Sequence, residues 1–135
     1  MNKTILTHAQ VEELCADVSP SIGALAKNLY PNNPVYMGKC YPIPNGGVPA
    51  AYALASFINV DIVDTPEEAD FFFDDIIDSG DTMRHWCDKY PGKPFFALID
   101  RSETPEWMDA PWVVFPWEGT VEAGIESNIT RLLQF

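Results

Sequence analysis

Between Phe71 and Thr82 the chain reads FFFDDIIDSGDT, a segment that concentrates side chains able to hold a phosphorylated sugar. The adjacent carboxylates of Asp74 and Asp75 can accept hydrogen bonds from the hydroxyls of a ribose, and they can hold a divalent cation directly or through water. Downstream, Asp78, Ser79, Gly80, Asp81 and Thr82 lead into a helical pattern, so the first free amides of that helix face the turn. Gly80 lets the backbone approach closely, and the hydroxyls of Ser79 and Thr82 add donors, which makes the turn a candidate anion nest. The plainer alternative is a solvated acidic turn that caps a helix. A cap needs one Asp, Ser or Thr, whereas this segment carries several.

The composition narrows what such a site could serve. The chain has 135 residues, 47% of them hydrophobic, enough for one core of ordinary density and a single domain over residues 1–135. Its 8 Lys and Arg stand against 20 Asp and Glu, a net charge of −12 that repels a phosphate backbone and argues against nucleic acid as a partner. An anionic small ligand then has to be held by amides, hydroxyls and a divalent cation. Cys15, Cys40 and Cys87 have neither CxxC spacing nor even parity, which predicts reduced, mostly buried thiols. No stretch reaches the apolar length of a membrane span and the N-terminus lacks a signal core, so a soluble, cytoplasmic protein is expected.

The elements that position the acidic segment can be read from periodicity. Thr7 and Gln10 form a capping-box pattern ahead of a helix over residues 8–18, and Ser19 and Pro20 restart a second helix that runs to the PNNP turn. Strands are expected at residues 35–41, 60–63, 71–73, 95–99 and 112–115. Helices are expected over residues 48–57 and 82–90, with a last one opening at Thr120. Strands alternating with helices imply a parallel sheet covered on its faces, with ligands bound beyond the carboxyl ends of the strands. The acids are expected just after the phenylalanine strand, at such an end.

The run FFFDDIIDSGDT resembles the signature of the type I phosphoribosyltransferases: an apolar strand, two acids, two aliphatic residues, then a loop of acid, Ser or Thr, Gly, any residue and Thr. The resemblance extends from about Tyr41 to Glu118. It implies a three-layer α/β fold, a mainly parallel twisted sheet flanked by helices, with a small C-terminal base-binding hood. It also implies that Asp74 and Asp75 contact the ribose hydroxyls of phosphoribosyl pyrophosphate and that Asp78, Ser79, Gly80, Asp81 and Thr82 hold the 5-phosphate. Asp78 would further sit near the purine nitrogen that gains the ribose and accept its proton.

Two further segments are similar to parts of that family. YPIPNGGVPAAYALA, from Tyr41 to Ala55, resembles its first active-site turn, which implies pyrophosphate binding at Asn45, Gly46 and Gly47; Asn45 takes the place where a basic residue is usual. WVVFPWEG, from Trp112 to Gly119, resembles the base-binding segment of the bacterial and archaeal xanthine, guanine and hypoxanthine enzymes. This implies that Trp112 stacks on the purine, that Val113 offers backbone groups to its edge, and that Arg101 falls nearest the Lys that meets its exocyclic oxygen. Each segment has a simpler reading as well: a tight turn, core or interface tryptophans, and a surface arginine. One departure concerns the long mobile loop that the family places between its third strand and the acidic strand. Only DTPEEAD, from Asp64 to Asp70, stands there.

Other α/β signatures fit less well. A Walker loop needs GK[ST], which is absent, a dinucleotide fold needs GxGxxG where the chain has IPNGGVP, and a phospho-receiver would not follow its acids with this loop. The expected function is transfer of a 5-phosphoribosyl group from phosphoribosyl pyrophosphate to a 6-oxopurine, with Mg²⁺ as cofactor held at Asp74 and Asp75. The alternative is a module that binds a nucleotide or the pyrophosphate donor without turnover. A third possibility is an interaction domain, since the apolar Leu132, Leu133 and Phe135 are expected to meet another subunit in a homo-oligomer.

Overall fold

Phe71, Phe72 and Phe73 have no exposed surface in the computed structural model, which describes residues 3–102 and 112–118. A run buried on both faces belongs in the interior of a parallel sheet. The strand that carries it, β4 (Phe71–Ile77), indeed lies between β2 (Lys39–Pro42) and β5 (Phe95–Asp100), with the short β3 (Asp61–Ile62) at the far edge beyond β2. Every pairing in this four-stranded sheet is parallel, and Phe73 stands opposite Pro42 on one side and Phe96 on the other.

Side-chain alternation along β4 divides the core into two layers. Phe71 and Phe73 join Val11, Cys15 and Ile22 of α1 (His8–Leu29) and Ala50, Ala51 and Leu54 of α2 (Gly47–Phe57) in one cluster. Phe72 turns the other way, against Trp86 of α3 (Asp81–Lys89) and Tyr90 at its C-cap. The chain is thus α/β, a parallel sheet with helices on both faces, as the alternation of elements predicts. Cys15 and Cys40 are buried, and burial pushes their thiols up to about 11 and about 12.

Several boundaries differ from the sequence reading. The capping box at Thr7 is present, with Gln10 N donating to Thr7 Oγ1 at 3.1 Å and Thr7 N to Gln10 Oε1 at 2.8 Å. The helix it opens does not stop at Val18, however; α1 continues through Ser19 and Pro20 to Leu29. Pro20 cannot donate to the carbonyl four residues back, but Ser19 Oγ donates to the Cys15 carbonyl at 2.5 Å, and Val11, Cys15, Ile22 and Ala26 bury one continuous face on both sides of the proline. Packing along that face outweighs the missing bond.

The strand expected over residues 35–41 begins only at Lys39, because Val35 and Tyr36 form a turn in which Tyr36 N donates to the Asn33 carbonyl at 3.2 Å. The segment Trp112–Val114 is a strand, β6, but it pairs in parallel with β1 (Lys3–Ile5), an element the sequence did not announce, in a separate two-stranded sheet. The final helix expected from Thr120, the tail with Leu132, Leu133 and Phe135, and most of the predicted hood lie outside the described residues. Among the described residues no helix is long and apolar enough to cross a membrane.

Phe73 fills the space between β4 and α2, and its removal leaves a cavity that backbone cannot collapse into from both sides. Phe73→Ala is therefore expected to lower stability by about 3–5 kcal/mol in urea unfolding, whereas Val35→Asp, at a position 70% exposed, should leave the midpoint unchanged.

Candidate functional site

Because β2, β4 and β5 run parallel, their carboxyl ends share one edge of the sheet. Three of the segments singled out in the sequence emerge there: the Asn45 to Gly47 turn after β2, the Asp78 to Thr82 loop after β4, and Arg101 after β5. Parallel topology therefore gathers residues that lie far apart in the chain.

The acidic pair does not follow its strand as expected. β4 continues through Asp74 and Asp75 to Ile77, since its ladder with β5 extends through Asp74 opposite Ala97 and Ile77 opposite Asp100. Inside a strand, neighbouring side chains point to opposite faces. Asp74 accordingly falls on the α3 side, where it lines a hollow of about 340 Å³, open solvent included, together with residues 76–83 and Phe95. Asp75 falls on the α2 side and lies under Gly46, so closely that a Cβ on Gly46 would fall inside its carboxylate. Asp75 does not line that hollow, but its carboxyl still meets that of Asp74, and both reach the Gly46 and Gly47 turn.

They remain linked through backbone. Asp75 N donates to Asp74 Oδ1 and Ile76 N to Asp75 Oδ1, each at 2.8 Å. Asp74 is only 8% exposed, and its carboxyl is pushed up to about 7, first by burial and then by the side chain and charge of Asp75, with the Asp75 amide opposing. Among the described residues no three His, Cys, Asp or Glu side chains cluster as a metal site. Mg²⁺ commonly takes one or two carboxylates and keeps its waters, so Asp74 and Asp75 fit that donor set without a third ligand.

The glycine turn owes its composition to crowding from below. Asn45, not a glycine, takes the left-handed backbone at φ 72°, while Gly46, at φ −60°, caps the start of α2. A Cβ on Gly47 would come within 2.7 Å of the Phe73 carbonyl and 3.3 Å of Asp74 Oδ1. Both glycines are needed to seat the turn on β4, a reason distinct from the expected closing of amides around a diphosphate.

The second loop has the expected shape. Gly80 adopts φ 90° and precedes α3, whose first turn begins as Arg84 N donates to the Gly80 carbonyl at 2.9 Å. Ser79 Oγ accepts from Asp81 N at 3.3 Å. Asp78, Ser79, Gly80, Asp81 and Thr82 all line the hollow. Asp78 also meets Arg101, whose Nε and Nη2 donate to Asp78 Oδ1 at 3.1 and 2.5 Å, so two residues assigned separately to proton transfer and base recognition form one ion pair.

Trp112 and Val113 belong to the separate two-stranded sheet. They lie on β6 opposite Lys3 and Thr4 of β1, and the Val113 side chain packs against the core cluster. Trp117 stacks on Phe115 with centroids 4.8 Å apart and planes within 4°. The sequence reading missed five features of this region: Ile76, Ile77, Met83 and Phe95 as hollow lining, and Arg84, which pairs with Asp81. The Asp81 to Arg84 spacing of three on a helix was the available signal for the last.

The short connection from Asp64 to Asp70 leads away from the hollow. Its single 3₁₀ turn, Pro66–Glu68, is tied to the residues just before β5: Lys93 Nζ donates to the Pro66 and Glu67 carbonyls at 2.8 and 2.7 Å, and the Tyr90 hydroxyl to Glu67 Oε1 at 3.1 Å. Asp70 Oδ2 accepts from the Tyr30 hydroxyl at 2.7 Å and from Lys39 N at 2.8 Å. This segment is fastened near the amino ends of the strands.

Neither a family model nor a curated protein matches the sequence. In three dimensions the chain is similar to a hypothetical protein from Neisseria gonorrhoeae solved with bound ppGpp, at 15% identity over 99% of this chain and 98% of that one, with a TM-score of 0.48. It is also similar to the Helicobacter pylori xanthine-guanine-hypoxanthine phosphoribosyltransferase, at 16% identity over 94% and 97% of the two chains, with a TM-score of 0.42. Neither likeness is strong enough to carry a functional conclusion.

The buried Asp74 makes stability depend on pH in a defined direction. Its carboxyl rises from 3.8 to about 7 on folding, so its favourable contribution is complete below about pH 3.8 and is lost as pH climbs through about 7. Asp74→Asn, which cannot ionise, is expected to be more stable than the parent at pH 8 by on the order of 2 kcal/mol, with the advantage gone at pH 4. Urea titrations of both proteins in EDTA at the two pH values measure this. Gly47→Ala should cost more than 1 kcal/mol on the order-of-magnitude scale of overpacked sites, read in the same titrations.

Proposed function

We propose that the chain binds a 5-phosphoribosyl group at this edge and transfers it from phosphoribosyl pyrophosphate to a 6-oxopurine. The observation that carries the reading is the hollow in which the left-handed Gly80, the hydroxyl-bearing first turn of α3 and the buried Asp74 converge. The 5-phosphate would take the amides and hydroxyls of residues 78–82, and the ribose would lie against Asp74. Asp75 and the Asn45 to Gly47 turn above it would face the diphosphate. Mg²⁺, when bound at Asp74 and Asp75, would neutralise the leaving pyrophosphate.

In the reaction the bond from ribose C1 to the pyrophosphate oxygen breaks, a bond from C1 to a purine nitrogen forms, and the proton on that nitrogen passes to Asp78. Arg101, already on Asp78, would donate to the exocyclic oxygen of the base. Trp112 would supply the stacking face and Val113 the backbone contact at the base edge. The protein's contribution is positioning and charge, since the donor carries its own leaving group.

A second reading, binding of a nucleotide or of the pyrophosphate donor without turnover, has its own support. Asp78 Oδ1 already accepts two bonds from Arg101, and the segment that would have to serve as a lid is short and fastened elsewhere. A site that stays open to water transfers to an acceptor poorly.

Incubation with phosphoribosyl pyrophosphate, Mg²⁺ and each purine in turn is expected to yield nucleotide and pyrophosphate, and chelation by EDTA should stop it. Asp78→Asn should retain ribose 5-phosphate binding while turnover falls roughly 100-fold or more. Calorimetric binding without product from any base would select the second reading. Neither binding nor product, from folded protein, would remove both.

A further inference from the structure

The hollow between β4 and α3 is an acidic place in which to hold an anion. Asp74, Asp78 and Asp81 line it, no Lys or Arg is part of its lining among the described residues, and the whole chain carries a net charge of −12. Amides and hydroxyls can orient a phosphate there, but they do not offset the charge of the neighbouring carboxylates. The offset has to come from cations at the rim.

Two of the three acids carry one. Asp78 is paired with Arg101, in a setting where the side chains are 43% and 19% exposed. Asp81 is paired with Arg84, three residues further along α3, which is the spacing that brings a side chain back over the preceding turn. Arg84 Nη1 stands 3.0 Å from the point a Cβ on Gly80 would occupy. The guanidinium therefore lies directly over the glycine of the loop, in room that only a glycine leaves.

The two pairs differ in how firmly they are held. In the Arg84 pair the side chains are 59% and 82% exposed, and water-exposed pairs of this kind contribute little to stability. Exchanging Asp81 for another oxyanion at the same place is inexpensive, and a phosphate offers a guanidinium two oxygens at once with more charge than a carboxylate.

We propose that Arg84 is a phosphate-binding residue of this site, which leaves Asp81 and takes two oxygens of the 5-phosphate when a phosphoribosyl ligand enters the hollow. The proposal rests on the loop being the 5-phosphate site. It explains how an acidic hollow, with no cation in its wall among the described residues, would hold a doubly charged group: Arg101 neutralises one flank through Asp78, and Arg84 closes the other.

The test is calorimetric titration of the full chain with ribose 5-phosphate, at low and at physiological salt, for the parent, Arg84→Ala and Arg84→Lys. Arg84→Ala is expected to weaken binding roughly tenfold at low salt and to flatten the salt dependence, as loss of one charge-assisted contact should. Arg84→Lys, which keeps the charge without the fork, should recover part of the loss. Parent and Arg84→Ala affinities within about twofold of each other at both salts would overturn the role of Arg84 and leave the loop assignment standing. A loss that Lys does not relieve and that salt does not alter would overturn it too. Absence of binding in all three folded proteins would remove the loop assignment, and this proposal with it.

Discussion

Phe71, Phe72 and Phe73 are enclosed between α1 and α2 on one face of the sheet and α3 on the other, and this enclosure dictates where β4 can present a charge. A carboxylate at any of those three positions would be stranded in the apolar core at a cost of several kcal/mol. Asp74 and Asp75 stand at the first positions where the sheet opens toward its carboxyl edge. Even there Asp74 is nine-tenths buried, which is why its carboxyl resists ionising. The same enclosure leaves no room for a side chain between β4 and the turn that follows β2, so Gly46 and Gly47 are required directly above the acids. Acid pair and glycine turn are two consequences of one strand being buried as far as its end.

The electrostatic character of the edge follows from a small number of local pairings. The chain has 20 acids against 8 bases, and among the described residues the charged groups lining the hollow are acids. Arg101 meets Asp78 and Arg84 meets Asp81, so the loop between β4 and α3 is flanked by guanidinium groups although its own charged residues are all acidic. The helix mouth adds backbone donors whose partial positive charge does not depend on side chains. An anion would therefore be met mainly by dipoles and by borrowed cations, a design consistent with a ligand that brings a divalent metal.

The connection between β3 and β4 does not cover the edge. In eight or so residues the chain must cross from one end of the sheet to the other, because both strands run in the same direction. That crossing consumes the reach of residues 64–70, and bonds from Lys93, Tyr90, Tyr30 and Lys39 fix it near the amino ends of the strands. No length is left over to fold across the hollow. Any cover for the hollow has to come from residues other than these.

The sequence alone determined the layered α/β arrangement, because strand-length apolar runs alternate with helical patterns, and it determined the loop at Asp78 to Thr82, because Gly80 and its hydroxyl neighbours are a local signal. Both depend on interactions a few residues apart. What tertiary structure decided is longer in range. The pairing of β4 with β5 carried the strand through Asp74 and Asp75, so that Asp74 lines the hollow and Asp75 does not; the packing of one face carried α1 through Pro20; and the partnership of β6 with β1 placed Trp112 and Val113 outside the main sheet. Arg101 reached Asp78 only because parallel strands end together. Such outcomes turn on which distant segments pair, and local residue preferences do not encode that choice.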